Sequence, residues 1–203
     1  MKTVLRRGFR FAGVIGLLAA IVVFAGCRPN QPILVDLTYI PPDENAEKPG
    51  GGAEDVVIHL SPVVDDRSNR DTIGKTTVSV IPESDVMLWV QEGLTSLGDW
   101  GYDLRLSGSD PPEGYRLRVT VSRVYCRSAM ATLRSTIILS VEYYRGGELL
   151  GKRVHRGETV LEDRSPLEGT YRFNEGRVLE ALNGGLGDAV GQIAATLAEL
   201  EGS

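Results

Sequence analysis

Leu117, Val119 and Val121 alternate with Arg116, Arg118, Thr120 and Ser122, and Ile137, Leu139, Val141 and Tyr143 repeat the same two-residue period. Such alternation marks strands with one face buried and one wet. Gly146-Gly147 turns the chain, and residues 149–160 return as a third strand, so the three predict an antiparallel meander. Two stretches carry the helical period instead. Val86, Trp89, Val90, Leu94 and Leu97 share a face behind Pro82, Ser84 and Asp85, which signal a helix start. Gly101 is a natural stop, because glycine tolerates the left-handed conformation past a helix end. Val178, Leu182, Leu186, Ala189, Ile193, Leu197 and Leu200 line a second helix, with Asn174 as its N-cap. The shorter apolar runs 56–60, 76–81 and 102–106 read as further strands, with an exposed polar loop at 65–71 and a Ser/Asp/Pro/Gly turn at 107–114. The order β-β-α-β-β-β-β-α predicts an α+β fold: an antiparallel β-sheet with two helices packed on one face.

The first 26 residues belong to none of this. An apolar run, 13–24, follows a basic head of Lys2, Arg6, Arg7 and Arg10 and ends in Phe24-Ala25-Gly26-Cys27. Basic head, apolar stretch and small residues before a cut make a secretory signal peptide. The ending resembles a bacterial lipobox, in which the Cys is lipidated and becomes the new N-terminus. The alternative is an uncleaved anchor, since 9–26 approaches the roughly 20 apolar residues a spanning helix needs. Either way the remainder is exported, because Lys and Arg favour the cytoplasmic side. Residue 28 is Arg rather than the Asp that retains enterobacterial lipoproteins in the inner membrane, which points to the outer membrane and a periplasm-facing domain. The expected organisation is a signal peptide at 1–26, lipidated Cys27 with a tether at 27–54, and the α+β domain at 55–203. Within the tether, 33–40 is apolar and β-branched, a short strand stopped by Pro41-Pro42, and 43–54 is polar and Gly-rich. Were 28–54 all flexible, its relaxed reach would be about 30 Å and its limit about 90 Å.

Removing the signal sharpens the charge. Its four basic residues are part of the chain's 22, leaving 18 against 27 acidic, near −9. That balance argues against nucleic acid as a partner and against a surface that hugs anionic lipid. With Cys27 committed to lipid, Cys126 has no partner in the chain, and its place in a strand pattern predicts burial.

Candidate chemistry is sparse. Gly74-Lys75-Thr76 echoes a phosphate-binding loop but lacks the upstream Gly and the following helix, so it reads as a turn into a strand. Asp65, Asp66 and Asp71 lack the spacing of a calcium loop. His59 and His155 stand far apart with no neighbouring Cys or His, and no metal or cofactor is expected. Arg116, Arg118, Arg123, Arg127 and Arg134 cluster on adjacent strands, a wet sheet face that can meet an acidic partner. Gly184, Gly185, Gly187 and Gly191 interrupt the last helix, each at a cost of roughly 1 kcal/mol, so close approach is required there, within the fold or to another subunit.

Several segments resemble, in order, the YajG-like family of bacterial lipoproteins. They are 33–41 after the lipobox, 57–69 (VIHLSPVVDDRSN), 85–104 (DVMLWVQEGLTSLGDWGYDL), 117–125 (LRVTVSRVY) and the closing helix at 189–197. The resemblance implies an outer-membrane lipoprotein with no established activity. The expectation is a non-enzymatic binding or accessory module, anchored by lipid and working with an envelope protein. Its interaction surface is sought at Arg116, Arg118, Arg123, Gly187 and Gly191. Two alternatives are a self-assembling structural lipoprotein using the Gly-rich last helix, and an envelope hydrolase whose paired carboxylates would come from Asp65, Asp66, Asp163 and Glu168.

Overall fold

The computed structural model describes residues 31–41, 56–106, 114–129, 131–162 and 173–202. Cys27, the signal segment, the stretch 43–54, Asp163 and Glu168 lie outside the described residues. In chain order the elements are β1 (Ile33–Val35), β2 (Val57–Leu60), β3 (Val64–Asp65), β4 (Gly74–Lys75), β5 (Ser79–Pro82), α1 (Val86–Thr95), β6 (Asp103–Leu106), β7 (Tyr115–Ala129), β8 (Thr132–Arg145), β9 (Glu148–Glu162) and α2 (Glu175–Glu201).

The alternating segments form the expected meander, β7–β8–β9, antiparallel throughout. Gly146 and Gly147 both hold positive φ, 56° and 83°, in the two-residue hairpin between β8 and β9. Both helix starts follow the caps read from the sequence. The Asp85 side chain accepts the Met87 N–H, and Asn174 accepts the Arg177 N–H. Gly101, at φ 95°, closes the 3-10 turn Ser96–Trp100 that continues α1.

The α+β class holds, but the sheet is mixed rather than wholly antiparallel. β2, β3 and β4 dock one after another along the free side of β7, all parallel to it, at 115–117, 120–121 and 126–127. β6 flanks β2 in parallel, β5 pairs β4 in antiparallel, and β1 pairs β5 in parallel. Ile33–Val35 is therefore part of the domain's sheet, and the compact body begins at Pro32.

One sheet face is buried beneath both helices. Trp89, Val90 and Leu94 of α1 share a core with Leu182, Leu186 and Ile193 of α2 and with Leu117, Val121, Ile137, Leu139 and Tyr143 of the sheet. The core runs from Val35 to Leu197, so a chain beginning at Arg28 keeps every contact of it. Glycines set the helix-to-sheet distance. A Cβ at Gly184 would sit 2.5 Å from Thr159 Oγ1, one at Gly185 would sit 2.6 Å from Ser135 Oγ, and one at Gly157 of β9 would overlap the Gly185 carbonyl. Asn183 ties three segments together: its Oδ1 accepts the Trp89 Nε1–H at 2.9 Å and its Nδ2 donates to the Thr38 carbonyl at 3.1 Å.

α2 also covers the outer edge of β9. The Arg156 N–H donates to Gln192 Oε1 at 3.2 Å, and Gln192 Nε2 donates to the Arg156 carbonyl at 2.8 Å. One residue pair further on, the Glu158 N–H donates to Asp188 Oδ2 at 2.9 Å. The Gln192 carboxamide thus occupies the place of a neighbouring strand's peptide group.

Candidate functional site

The sheet face opposite the helices is uncovered among the described residues, and strand register fixes which side chains stand on it. Leu117, Val119 and Val121 point to the core, so Arg116 and Arg118 point away. Strict alternation would then send Arg123 inward. A bulge between Val121 and Arg123 adds one residue and resets the parity. Val124 and Cys126 become the buried pair, and Arg123, Tyr125 and Arg127 join Arg118 on the open face, whereas Arg116, on the same side by register, is itself buried and so is not part of the exposed surface the sequence suggested. β8 adds Arg134, Ile138, Glu142 and Tyr144, and β9 adds Lys152, Val154, Arg156, Glu158 and Val160.

The arginines are spread over aromatic rings. Arg116 and Arg118 lie over Tyr144 at 4.4 and 5.0 Å from the ring centre, and Arg123 lies over Tyr125 at 5.8 Å. The Tyr144 hydroxyl donates to Glu142 at 2.9 Å, and Lys152 donates to the same carboxylate at 3.1 Å. Those two bonds, Tyr144 first, hold the Glu142 carboxyl below the ordinary range. Arg156 does the same to Glu158, with Nε 2.8 Å from Oε1. Lys75, Arg123 and Arg127 form no ion pair among the described residues. Apolar surface lies between these charges: Val154, Val160 and Tyr125 are all exposed.

The helix side has the opposite sign. α2 presents Glu175, Glu180, Asp188, Glu199 and Glu201, with Arg177 its one cation. Among the described residues, α2 is thus mainly acidic, while Lys75, Arg118, Arg123, Arg127, Arg134, Lys152 and Arg156 stand on the open sheet face with Glu142 and Glu158.

The remaining sequence candidates have other settings. Gly191 packs within the molecule, where a Cβ would lie 3.4 Å from the Trp100 ring, and Gly187 is half-buried on α2. Asp65 is held by Arg67, whose Nη2 lies 2.8 Å from Oδ2, with Arg70 donating to the Asp65 carbonyl; the Arg67 contacts keep its carboxyl below the usual range. Among the described residues, no group of His, Cys, Asp and Glu converges as a metal site. His155 is buried with Nε2 2.7 Å from the Tyr143 hydroxyl, and burial followed by the nearby Arg153 lowers its pKa. Cys126 is buried as expected, which pushes its thiol up to about 12. No helix among the described residues is long and apolar enough to cross a membrane.

No family model and no curated protein matches the chain. The YajG-like resemblance therefore rests on its segments alone. A solved structure shares the chain's fold, and others are similar to a lesser degree. A DUF330-family protein of Xanthomonas campestris is 12% identical, with a TM-score of 0.52, over 83% of this chain and 97% of its own. A minor lipoprotein of Acinetobacter baumannii is 14% identical, with a TM-score of 0.39, over 70% and 92%. A lipoprotein of Neisseria meningitidis is 12% identical, with a TM-score of 0.35, over 73% and 99%.

Proposed function

We propose that this chain is a bacterial lipoprotein of the cell envelope, held in the outer membrane by lipid on Cys27 and facing the periplasm. Its domain works there as a non-enzymatic binding or accessory module. One observation carries the reading: a basic head, an apolar run and Phe24-Ala25-Gly26-Cys27 precede a folded body that starts only a few residues later. Arg28 supports the outer-membrane placement, and the YajG-like resemblance of five ordered segments supports the class. The binding role is supported by the open sheet face, where Lys75, Arg123 and Arg127 are exposed and form no ion pair among the described residues. The polar groups nearest to chemistry are committed to structure, Asp65 to Arg67 and His155 to Tyr143.

Labelled palmitate fed to bacteria producing the full chain tests the anchor. Wild-type protein is expected in the membrane pellet carrying label, and Cys27→Ser is expected without it. Unlabelled wild-type protein in the pellet would establish an uncleaved anchor and overturn the reading.

A further inference from the structure

We infer that the open sheet face lies against an anionic phospholipid surface, with Lys75, Arg127 and Arg134 meeting the headgroup phosphates. The inference rests on the lipid-anchor reading, which fixes how near the body is held. Cys27 is six residues from Ile33, and six residues span at most about 20 Å. The folded body therefore works beside the headgroups, and one of its surfaces must meet them.

Register selects that surface. Ile33 is level with Val80, Gly74, Cys126 and Ser135, read across β1, β5, β4, β7 and β8. β1 runs against β7, so the chain leading back to Cys27 leaves the sheet toward the next row. That row holds Lys75, Arg127 and Arg134 side by side, with Val160 beyond them on β9. Gly74, Cys126 and Ser135 face the helices, so these three cations point to the open side, and all three are exposed. Three like charges in adjacent register repel one another; the Glu158 carboxylate offsets part of this at Arg134, and an external anion relieves the remainder at Lys75 and Arg127, which form no ion pair among the described residues.

The rest of the face suits the same occupant. Arg123 over Tyr125, with Val154 and Val160 at the β9 side, mixes cation, aromatic and aliphatic surface as interfacial segments do. The helix side, with its acidic residues, is repelled by the same surface, so the field orients the domain as well as attracting it. The net charge near −9 opposes binding only while averaged over the molecule. Within a Debye length of about 10 Å, the face nearest the membrane dominates.

The test removes the anchor so that only the face can bind. The chain 28–203, which keeps the whole core, is sedimented with vesicles of phosphatidylcholine alone or of phosphatidylcholine with phosphatidylglycerol. Pelleting is expected with the anionic vesicles only, and it should weaken as salt rises. Lys75→Gln, Arg127→Gln and Arg134→Gln together should weaken it by roughly a hundredfold at an unchanged urea midpoint. Arg153→Gln with Arg177→Gln, on the helix side, should leave it unaltered. Absence of pelleting at low salt, or a triple variant that binds like wild type, would overturn the inference. So would vesicle silence joined to an Arg127-dependent cross-link to an acidic envelope protein, which would assign the face to that partner. None of these results touches palmitate on Cys27, so the anchor reading stands or falls separately.

Discussion

Replacing Asn183 with leucine removes the carboxamide and keeps its branched outline at a larger volume, so the polar tie between α1, α2 and the segment after β1 is read from the coupling to Trp89 rather than from the raw loss of stability. Trp89 is 1% exposed, and its Nε1–H has Asn183 Oδ1 as its hydrogen-bond acceptor. Without that oxygen the indole donor is stranded away from water, at about 1–3 kcal/mol. The second bond, to the Thr38 carbonyl, matters less, because Thr38 is exposed and water can replace the amide. The expected loss is about 2–3 kcal/mol, equivalent to a fall in Tm of roughly 5–10 °C at this chain length. Urea unfolding of the 28–203 chain at neutral pH measures it, with unchanged m-values confirming that the same transition is compared. The decisive control is a cycle with Trp89→Phe, which has no N–H to strand. In that background Asn183→Leu should cost only about 1 kcal/mol, a coupling of about 1–2 kcal/mol. Equal costs in the two backgrounds, or a loss below about 0.5 kcal/mol in wild type, would refute the assignment.

Two further outcomes follow from the helix-to-sheet interface. Gly157→Val should destabilise by about 1–3 kcal/mol or more, since even a Cβ there overlaps the Gly185 carbonyl; equal urea midpoints for variant and wild type would show that α2 yields freely. His155 has a folded pKa below its ordinary 6.5, so the unfolded chain takes up a proton that the folded chain refuses. Stability is therefore full above about pH 6.5, is lost as pH falls toward the folded value, and levels off below it. Tm measured across that window should fall in wild type and flatten in His155→Gln; parallel curves would remove His155 as the cause.

Much of the fold could be read from local pattern. The meander, both helix faces, the Asp85 and Asn174 caps and the Gly146-Gly147 turn each depend on neighbours in sequence, and each stands where the pattern put it. The parallel docking of β2, β3 and β4 could not be read. Those strands are two to four residues long, too short to show a period, and their partners lie some 50 residues away. The bulge before Arg123 was equally silent, although it decides which face that arginine takes. The Gly-rich stretch of α2 carried a signal, a need for close approach, without its direction; the answer lay in β8, β9 and Trp100. Net charge hid the most, because a sum over the chain cannot show that α2 is mainly acidic while Lys75, Arg118, Arg123, Arg127 and Arg134 share the opposite side of the sheet with Glu142 and Glu158.

The contact between Gln192 and the edge of β9 has a consequence beyond the single molecule. If Cys27 carries the proposed lipid, the population is confined to a plane, where copies share one orientation and meet far more often than in bulk solution. A bare strand edge in that setting is a template, since each arriving copy can extend the sheet of the last. By spending a side-chain amide on the Arg156 peptide and a carboxylate on that of Glu158, the helix closes the template at its midpoint. Dense packing in two dimensions can then raise local concentration without seeding polymerisation, and the sheet's broad side, rather than its rim, is left as the surface available to a partner.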